Sequence, residues 1–468
     1  MAKPAFWGRE DELRALQSAY ASDKGAFVPV YGRRRVGKSR LIDEFVRDKP
    51  VICFVGKRAP AAIQIKEFME RAADSLGEPL LAEVVPETWR KALETVWKRW
   101  QSDRRLILVL DEFQWIAENS EDITSTLQEI WDKQWQHDRR IMLILCGSYV
   151  GFMEREVLGS KSPLFGRRTA QILLRPFGFQ EAAAFHSSYS VYDRARTYFI
   201  CGGIPLYLGF FDKSRSVEEN IARNLLDQFS PMFYEPDFLL REELKEVELY
   251  HAVLMALAEG RTTSSTIAQF SGVNERVLHY YLGMLQEIGY VKRRVPLTGE
   301  KPNQRTVRFI LADPLLKFWF RFVFPHQSLL RSGGSPAPLL ALICKDLDAY
   351  FGRCFELLCQ EALSLKYATQ GTSPRYEVGE YWDKSVQIDV VGIQNKNWID
   401  IGECKWGESG SPKAWAEELA RRAEAFPNPR NASLNRILFT RNRIARAKAP
   451  KDTTCYSLAD LYEFGRKK

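Results

Sequence analysis

The stretch Gly32-Arg33-Arg34-Arg35-Val36-Gly37-Lys38-Ser39 constrains this 468-residue chain more than any other. It follows the apolar run FVPVY (27–31) and precedes an amphipathic segment, Ser39–Asp48. Glycine, four variable residues, Gly-Lys and a hydroxyl residue, placed between a strand and a helix, form a loop that curls around phosphate. The backbone N–H groups and the helix N-terminus must face the phosphate oxygens. Glycines permit that curl because they lack Cβ. Lys38 is expected to supply charge to the β- and γ-phosphates, and Ser39 a hydroxyl ligand for Mg²⁺.

The surroundings agree with that reading. Apolar runs at 27–31, 51–55, 106–110, 141–147 and 171–177 alternate with helical stretches at Ser39–Asp48, Pro60–Leu76 and Pro86–Gln101. Short, fully apolar strands spaced by helices predict a parallel sheet covered on both faces. The run LILVL ends in Asp111 and Glu112. Asp111 is expected to hold Mg²⁺ through water, while Glu112 polarises the attacking water. Two acids at a strand end can also serve only as a helix cap. After the next strand, Ser148 stands where a γ-phosphate sensor is needed. Arg167 and Arg168 follow in the loop PLFGRR (163–168). Either is a candidate arginine finger, acting from a neighbouring subunit and so implying an oligomer. The alternative is a surface ion pair.

These residues resemble a known family. FWGREDEL (6–13) is similar to the box that precedes the phosphate loop in archaeal and bacterial P-loop ATPases of the AAA+/STAND borderland. The likeness runs through LDEFQW, the Gly-Ser after strand four, LFGRR and Cys-Gly-Gly-Ile-Pro (201–205), over roughly residues 5–240. It implies that Gly8 and Arg9 contact the adenine and that the turn ending in Pro205 closes a helical lid near the nucleotide. ATP and ADP are then the expected ligands. The AAA+ sensor 2 arginine is not evident near Gly202–Leu208.

Farther along, Val247–Glu259, Ser264–Gln269 and Asn274–Ile288 read as three helices, followed by a strand from Gly289, a wing turn at Thr298–Lys301 and a return strand, Arg305–Leu311. That order predicts a winged helix. Asn274, Arg276, His279 and Tyr280 are offered to a major groove, and Val277, Leu278, Tyr281, Leu282 and Leu285 to the core. The alternative is an interdomain spacer. The segment SGGSPAP (332–338) reads as a linker.

Beyond it, Asp389 lies inside the strand-like run VQIDVVG, and Glu403 and Lys405 share one face of the next by strand alternation. Glu356 sits upstream on a helix, Phe351–Ala362. Asp389, Glu403 and Glu356 are candidate ligands for Mg²⁺ or Mn²⁺, with Lys405 the catalytic cation. The competing reading is a Glu–Lys pair on a sheet surface, worth under about 1 kcal/mol. The pattern resembles the PD-(D/E)xK nucleases and the DUF234-type domain fused to this ATPase group.

The fold expected is α/β and multidomain: a P-loop ASCE/AAA+ parallel sheet (1–177), a helical lid (178–240), a winged helix (241–331) and a restriction-endonuclease-like domain (339–468). Charge supports a polyanionic partner. Of the net +8, residues 401–468 carry 14 Lys and Arg against 8 Asp and Glu, and residues 271–310 carry 7 against 3. Such a basic face attracts nucleic acid, DNA favoured, or is simply solvated. The basic run Arg441–Lys451 is a candidate to track the backbone. No apolar run reaches the ~18–20 residues of a membrane span. Eight cysteines without a CxxC pair describe neither a disulfide scaffold nor a zinc ribbon, so a cytoplasmic protein is expected. Two functions are consistent with all this. One is an ATP-driven protein that acts on nucleic acid with a metal-dependent nuclease domain. The other is a STAND-like nucleotide switch that binds a protein or DNA partner without cleavage.

Overall fold

The computed structural model describes residues 6–298, 306–370, 375–395, 397–407, 410–428 and 431–465. They divide into two compact units that meet in sequence at Pro176 and Phe177.

The first unit is built on five strands, β1 (Ala26–Tyr31), β2 (Val51–Val55), β3 (Leu106–Asp111), β4 (Ile141–Gly147) and β5 (Ile172–Leu173). Their order is β2-β3-β4-β1-β5 and every pairing is parallel. Each residue of β1, β3 and β4 is buried, which is why these strands read as unbroken apolar runs rather than alternating ones. Helices α1 (Glu10–Tyr20), α2 (Lys38–Val46), α3 (Ala61–Leu76) and α4 (Trp89–Arg99) connect and flank the sheet. Phe68 of α3 and Trp89 of α4 pack on Phe54 of β2 with ring centroids 5.8 and 5.7 Å away. One expectation is corrected at the edge. The run 171–177 forms only two residues of strand, because the chain turns away after the Leu174 N–H bonds Tyr31 O at 2.7 Å.

The second unit opens with helices, among them α5 (Val191–Cys201), and Pro205 starts the short helix after the Gly-Gly turn. Then come α6 (Val247–Ala258), α7 (Ser264–Ser271), α8 (Glu275–Glu287) and the antiparallel pair β6 (Val291–Arg294) and β7 (Arg308–Leu311). The wing residues 299–305 lie outside the described residues. On α8, Leu278, Tyr281, Leu282 and Leu285 are buried as expected, but Val277 is 47% exposed. It falls on the outer flank between Arg276 and Tyr280, so the core stripe is narrower than its apolar sequence suggests. Asn274 caps α8, accepting from Arg276 N–H at 3.0 Å.

The aromatic run after α9 (Pro314–Phe318) is core: Trp319 and Phe320 are fully buried, and Trp319 Nε1 donates to Phe233 O at 2.9 Å. The linker expectation needs correction, since α10 (Pro336–Gln370) begins inside SGGSPAP. Proline is tolerated in a first helical turn, where its missing N–H would have no partner. A mixed sheet ends the chain: β8 (Tyr376–Trp382), β9 (Gln387–Gln394), β10 (Trp398–Lys405), β11 (Ser433–Thr440) and β12 (Thr454–Ser457), in the order β12-β11-β10-β9-β8. Helix α10 packs on β8, β9 and β10, and α11 (Pro412–Ala425) on β10 and β11. Among the described residues, no helix is long and apolar enough to cross a membrane.

Candidate functional sites

The phosphate loop joins β1 to α2. Gly32 cannot carry a side chain, because a Cβ there would stand 2.2 Å from Leu174 O. Gly37 holds the N-cap of α2 at φ 94°, and no side chain caps that helix. The first-turn N–H groups are therefore left for an external anion, which a helix N-terminus attracts. Lys38 is buried and donates to Gly32 O at 2.8 Å and Arg33 O at 3.1 Å. Its ammonium thus closes the loop on itself. Burial pulls its pKa below the usual lysine range, while the Glu112 and Asp111 charges oppose that shift. Arg33, Arg34, Arg35 and Val36 complete the loop, Arg35 in the left-handed region at φ 69°.

Gly8 and Arg9 also take left-handed conformations, at φ 64° and 70°. Arg9 is buried, donating to Arg175 O at 2.6 Å and Val36 O at 3.4 Å. The amino-terminal box is thereby tied to the phosphate loop itself.

Ser39 Oγ donates to Asp111 Oδ2 at 3.1 Å, which brings the two expected Mg²⁺ ligands together. Glu112 steps out of β3 at φ 49°, its N–H held by Asp111 Oδ1 at 2.8 Å. Ser148 Oγ donates to Glu112 Oε2 at 2.6 Å. Gln114 was not singled out from sequence, yet its Nε2 donates both to Glu112 Oε2 and, at 3.2 Å, to Ser148 Oγ. Its position two residues past Glu112, at the start of a buried helix, was the available signal.

The adjacent arginines differ. Arg167 is committed to Asp132 through two parallel bonds, 2.8 and 2.7 Å, and to Pro163 O at 2.6 Å. Arg168 is exposed and makes no hydrogen bond or ion pair among the described residues. Pro205 belongs to the second unit, half-buried at the first turn of its helix.

The carboxyl-terminal acids gather where β9, β10 and α10 meet. Asp389 Oδ2 accepts from Cys404 N–H at 3.0 Å, across neighbouring strands. Glu403 is 3% exposed, with Lys405 Nζ on Oε1 and Arg422 Nη1 on Oε2, each at 2.6 Å. Strand alternation placed Lys405 correctly. Arg422, on α11, is a partner that sequence does not reveal, because nothing along the chain links it to β10. Gln360 of α10 donates to Asp389 O at 2.7 Å, and Glu380 of β8 binds Arg294.

Burial, then the charges of Asp389 and Glu380, push Glu356 up to about 8, with Lys317 opposing. Burial, then Glu403, pushes Asp389 up to about 6. Among the described residues, no three such side chains converge on one metal-sized point. Lys405 and Arg422 hold both oxygens of Glu403, leaving Asp389 and Glu403 as an adjacent pair with Glu356 nearby. Hard carboxylate oxygens suit Mg²⁺ or Mn²⁺.

A stability prediction follows from those shifts. An unfolded glutamate ionises near 4.5, so between that pH and about 8 the folded chain keeps a proton that the unfolded chain has lost. Stability therefore falls as pH rises through this window. In metal-free buffer, the melting temperature of Glu356→Gln should fall less between pH 5 and 8.5 than that of the parent. Parallel profiles would show that Glu356 does not carry the shift.

Comparison with known proteins agrees with both halves. Residues 6–210 match a family described as an ATPase domain predominantly from Archaea. Residues 319–418 match a family described as archaeal and bacterial proteins of unknown function. The uncharacterised protein MJECL04 of Methanocaldococcus jannaschii is 28% identical over 408 residues, 86% of this chain and 87% of its own. The Walker-type ATPase paby2304 of Pyrococcus abyssi superposes with a TM-score of 0.50 at 19% identity, covering 68% of this chain and 96% of that one. The ORC2 protein of Aeropyrum pernix, solved with ADPNP and ADP, gives 0.46 at 15% identity over 70% and 96%.

Proposed function

We propose that this chain, which joins an ATPase domain of the predominantly archaeal family to a DUF234-type domain, hydrolyses ATP and acts on nucleic acid, DNA favoured, through a carboxyl-terminal metal-dependent nuclease site. The observation that carries the nuclease half is the buried pair of Asp389 and Glu403 with Lys405 and Arg422 upon it.

In the amino-terminal unit, the α2 amides and Lys38 hold the β- and γ-phosphates. Ser39 and Asp111 would hold Mg²⁺, whose charge offsets that of the phosphate oxygens. Ser148 and Gln114 restrain Glu112. Once a γ-phosphate engages Ser148, the freed carboxylate polarises the attacking water. Arg168 rather than Arg167 is the finger, because Arg167 is already held by Asp132. ATPase activity per chain should rise with protein concentration, and that rise should vanish in Arg168→Ala while persisting in Arg167→Ala. A flat specific activity from nanomolar to micromolar removes the trans role.

In the carboxyl-terminal unit, Asp389 and Glu403 would hold Mg²⁺ or Mn²⁺, which would lower the pKa of a bound water and so supply a nucleophile for phosphorus. Lys405 and Arg422 then stabilise charge on the phosphate oxygens. The exposed Arg276, His279 and Tyr280 of α8 support docking on DNA.

A second reading is favoured by one observation: Glu403 is fully satisfied by two cations, as in a structural ion network. On that reading the chain is a nucleotide switch that binds a partner without cleaving. Incubating the full chain with single- and double-stranded DNA and RNA, with Mg²⁺ or Mn²⁺ and with or without ATP, separates the two. Metal-dependent cleavage supports the first. Salt-dependent binding without cleavage supports the second.

A further inference from the structure

The second unit holds a cavity of about 380 Å³ that neither site uses. Its wall draws on elements far apart in sequence: Tyr198 and Phe199 of α5, Lys292 and Arg294 of β6, Lys317 of α9, and Glu361 with its neighbours on α10. Three cations from two elements therefore face one hollow. Glu361 is the one acid among the described residues of this wall, held by Tyr198 of the same wall and acted on by Lys292. It accepts from Phe179 N–H at 3.1 Å and from Tyr198 Oη–H at 2.9 Å, and burial raises its pKa. With Arg294 paired to Glu380, three cations against two carboxylates among the described residues leave the hollow net positive, a fit for an anionic group. Ile310, Leu311, Leu357 and Leu358 supply an apolar side. Ser364 Oγ gives its proton to Gln360 O at 3.0 Å and keeps acceptor capacity.

This wall also touches the acid cluster. Arg294 binds Glu380 and, at 3.0 Å, Gln360 Oε1. Gln360 in turn holds Asp389 O.

We infer that the cavity is a binding site for one nucleoside monophosphate unit. Its phosphate rests on Lys292, Arg294 and Lys317, and its base lies against Leu357 and Leu358. A volume near the low end for ligand pockets admits one nucleotide and no duplex. The unit is either a free mononucleotide or the terminal nucleotide of a strand led towards Asp389 and Glu403. Only the second source rests on the proposed nuclease function; nucleotide binding itself does not.

The test uses the full chain carrying Lys38→Ala, so that the phosphate loop does not contribute, and reads binding by calorimetry. The probes are AMP, adenosine, inorganic phosphate and a 5′-phosphorylated oligonucleotide. AMP or the oligonucleotide should bind saturably, with adenosine and phosphate each weaker. Lys292→Ala and Lys317→Gln should each weaken binding about tenfold at an unchanged melting temperature. Lys292 is exposed, so its variant tests the site even if Lys317→Gln misfolds. Binding by AMP marks a free mononucleotide as a ligand, and binding by the oligonucleotide alone marks the strand end. Absence of saturable binding, or binding that Lys292→Ala leaves untouched, overturns the inference. Failure to cleave DNA with binding intact would retire the nuclease reading and leave the cavity assigned.

Discussion

Glu112→Gln is expected to bind ATP as tightly as the parent chain and to hydrolyse it about 10²–10⁴-fold more slowly, the usual worth of a positioned general base. The amide keeps the size of the carboxylate and can still meet Ser148 and Gln114, so the loop, Lys38 and the Ser39–Asp111 pair stay in place. Only the negative charge that draws on the attacking water is lost. Lys38→Ala should fail one step earlier. Its ammonium is the one that the loop carbonyls of Gly32 and Arg33 aim into the cradle, and without it nucleotide binding itself should be lost. Equilibrium binding of a fluorescent ATP analogue, paired with phosphate release, separates these outcomes. Equal hydrolysis by parent and Glu112→Gln would remove Glu112 from the reaction.

Lys405→Ala tests the carboxyl-terminal proposal with comparable force. If the site cleaves phosphodiesters, this variant should still bind DNA and ATP yet lose metal-dependent cleavage by about 10²-fold or more, the scale for removing one group that stabilises developing charge. Arg422 would remain on Glu403 and keep that buried carboxylate paired, so the fold should survive. If Lys405 only pairs with the buried Glu403 in a structural ion network, its removal leaves cleavage unchanged. Cleavage by the parent, assayed beside Lys405→Ala with Mn²⁺, decides between these. Identical cleavage by the two removes Lys405 from the reaction, and no cleavage by either leaves the non-cleaving switch as the reading.

The sequence by itself determined what depends on neighbours along the chain. Apolar runs without alternation announced buried parallel strands, and the sheet carries them at β1, β3 and β4. The glycine pattern announced a loop that only glycine can turn, as the crowding at Gly32 shows. Period-two alternation alone puts Lys405 beside Glu403. Tertiary structure alone decided what depends on distant segments. The two arginines of LFGRR are equivalent in sequence, and only the approach of Asp132 commits Arg167 and leaves Arg168 exposed. Val277 has the apolarity of a core residue, but it lies off the buried face of α8 that carries Leu278, Leu282 and Leu285. Gln114 links Glu112 to Ser148 because the end of β4 brings Ser148 beside it. Arg422 reaches Glu403 across 19 residues because α11 packs on β10. Local sequence sets backbone conformation and side-chain direction through short-range sterics and periodicity. Which charges from distant segments meet is set by packing between elements, and that is why the candidate acids and Lys405 were legible while Arg422 was not.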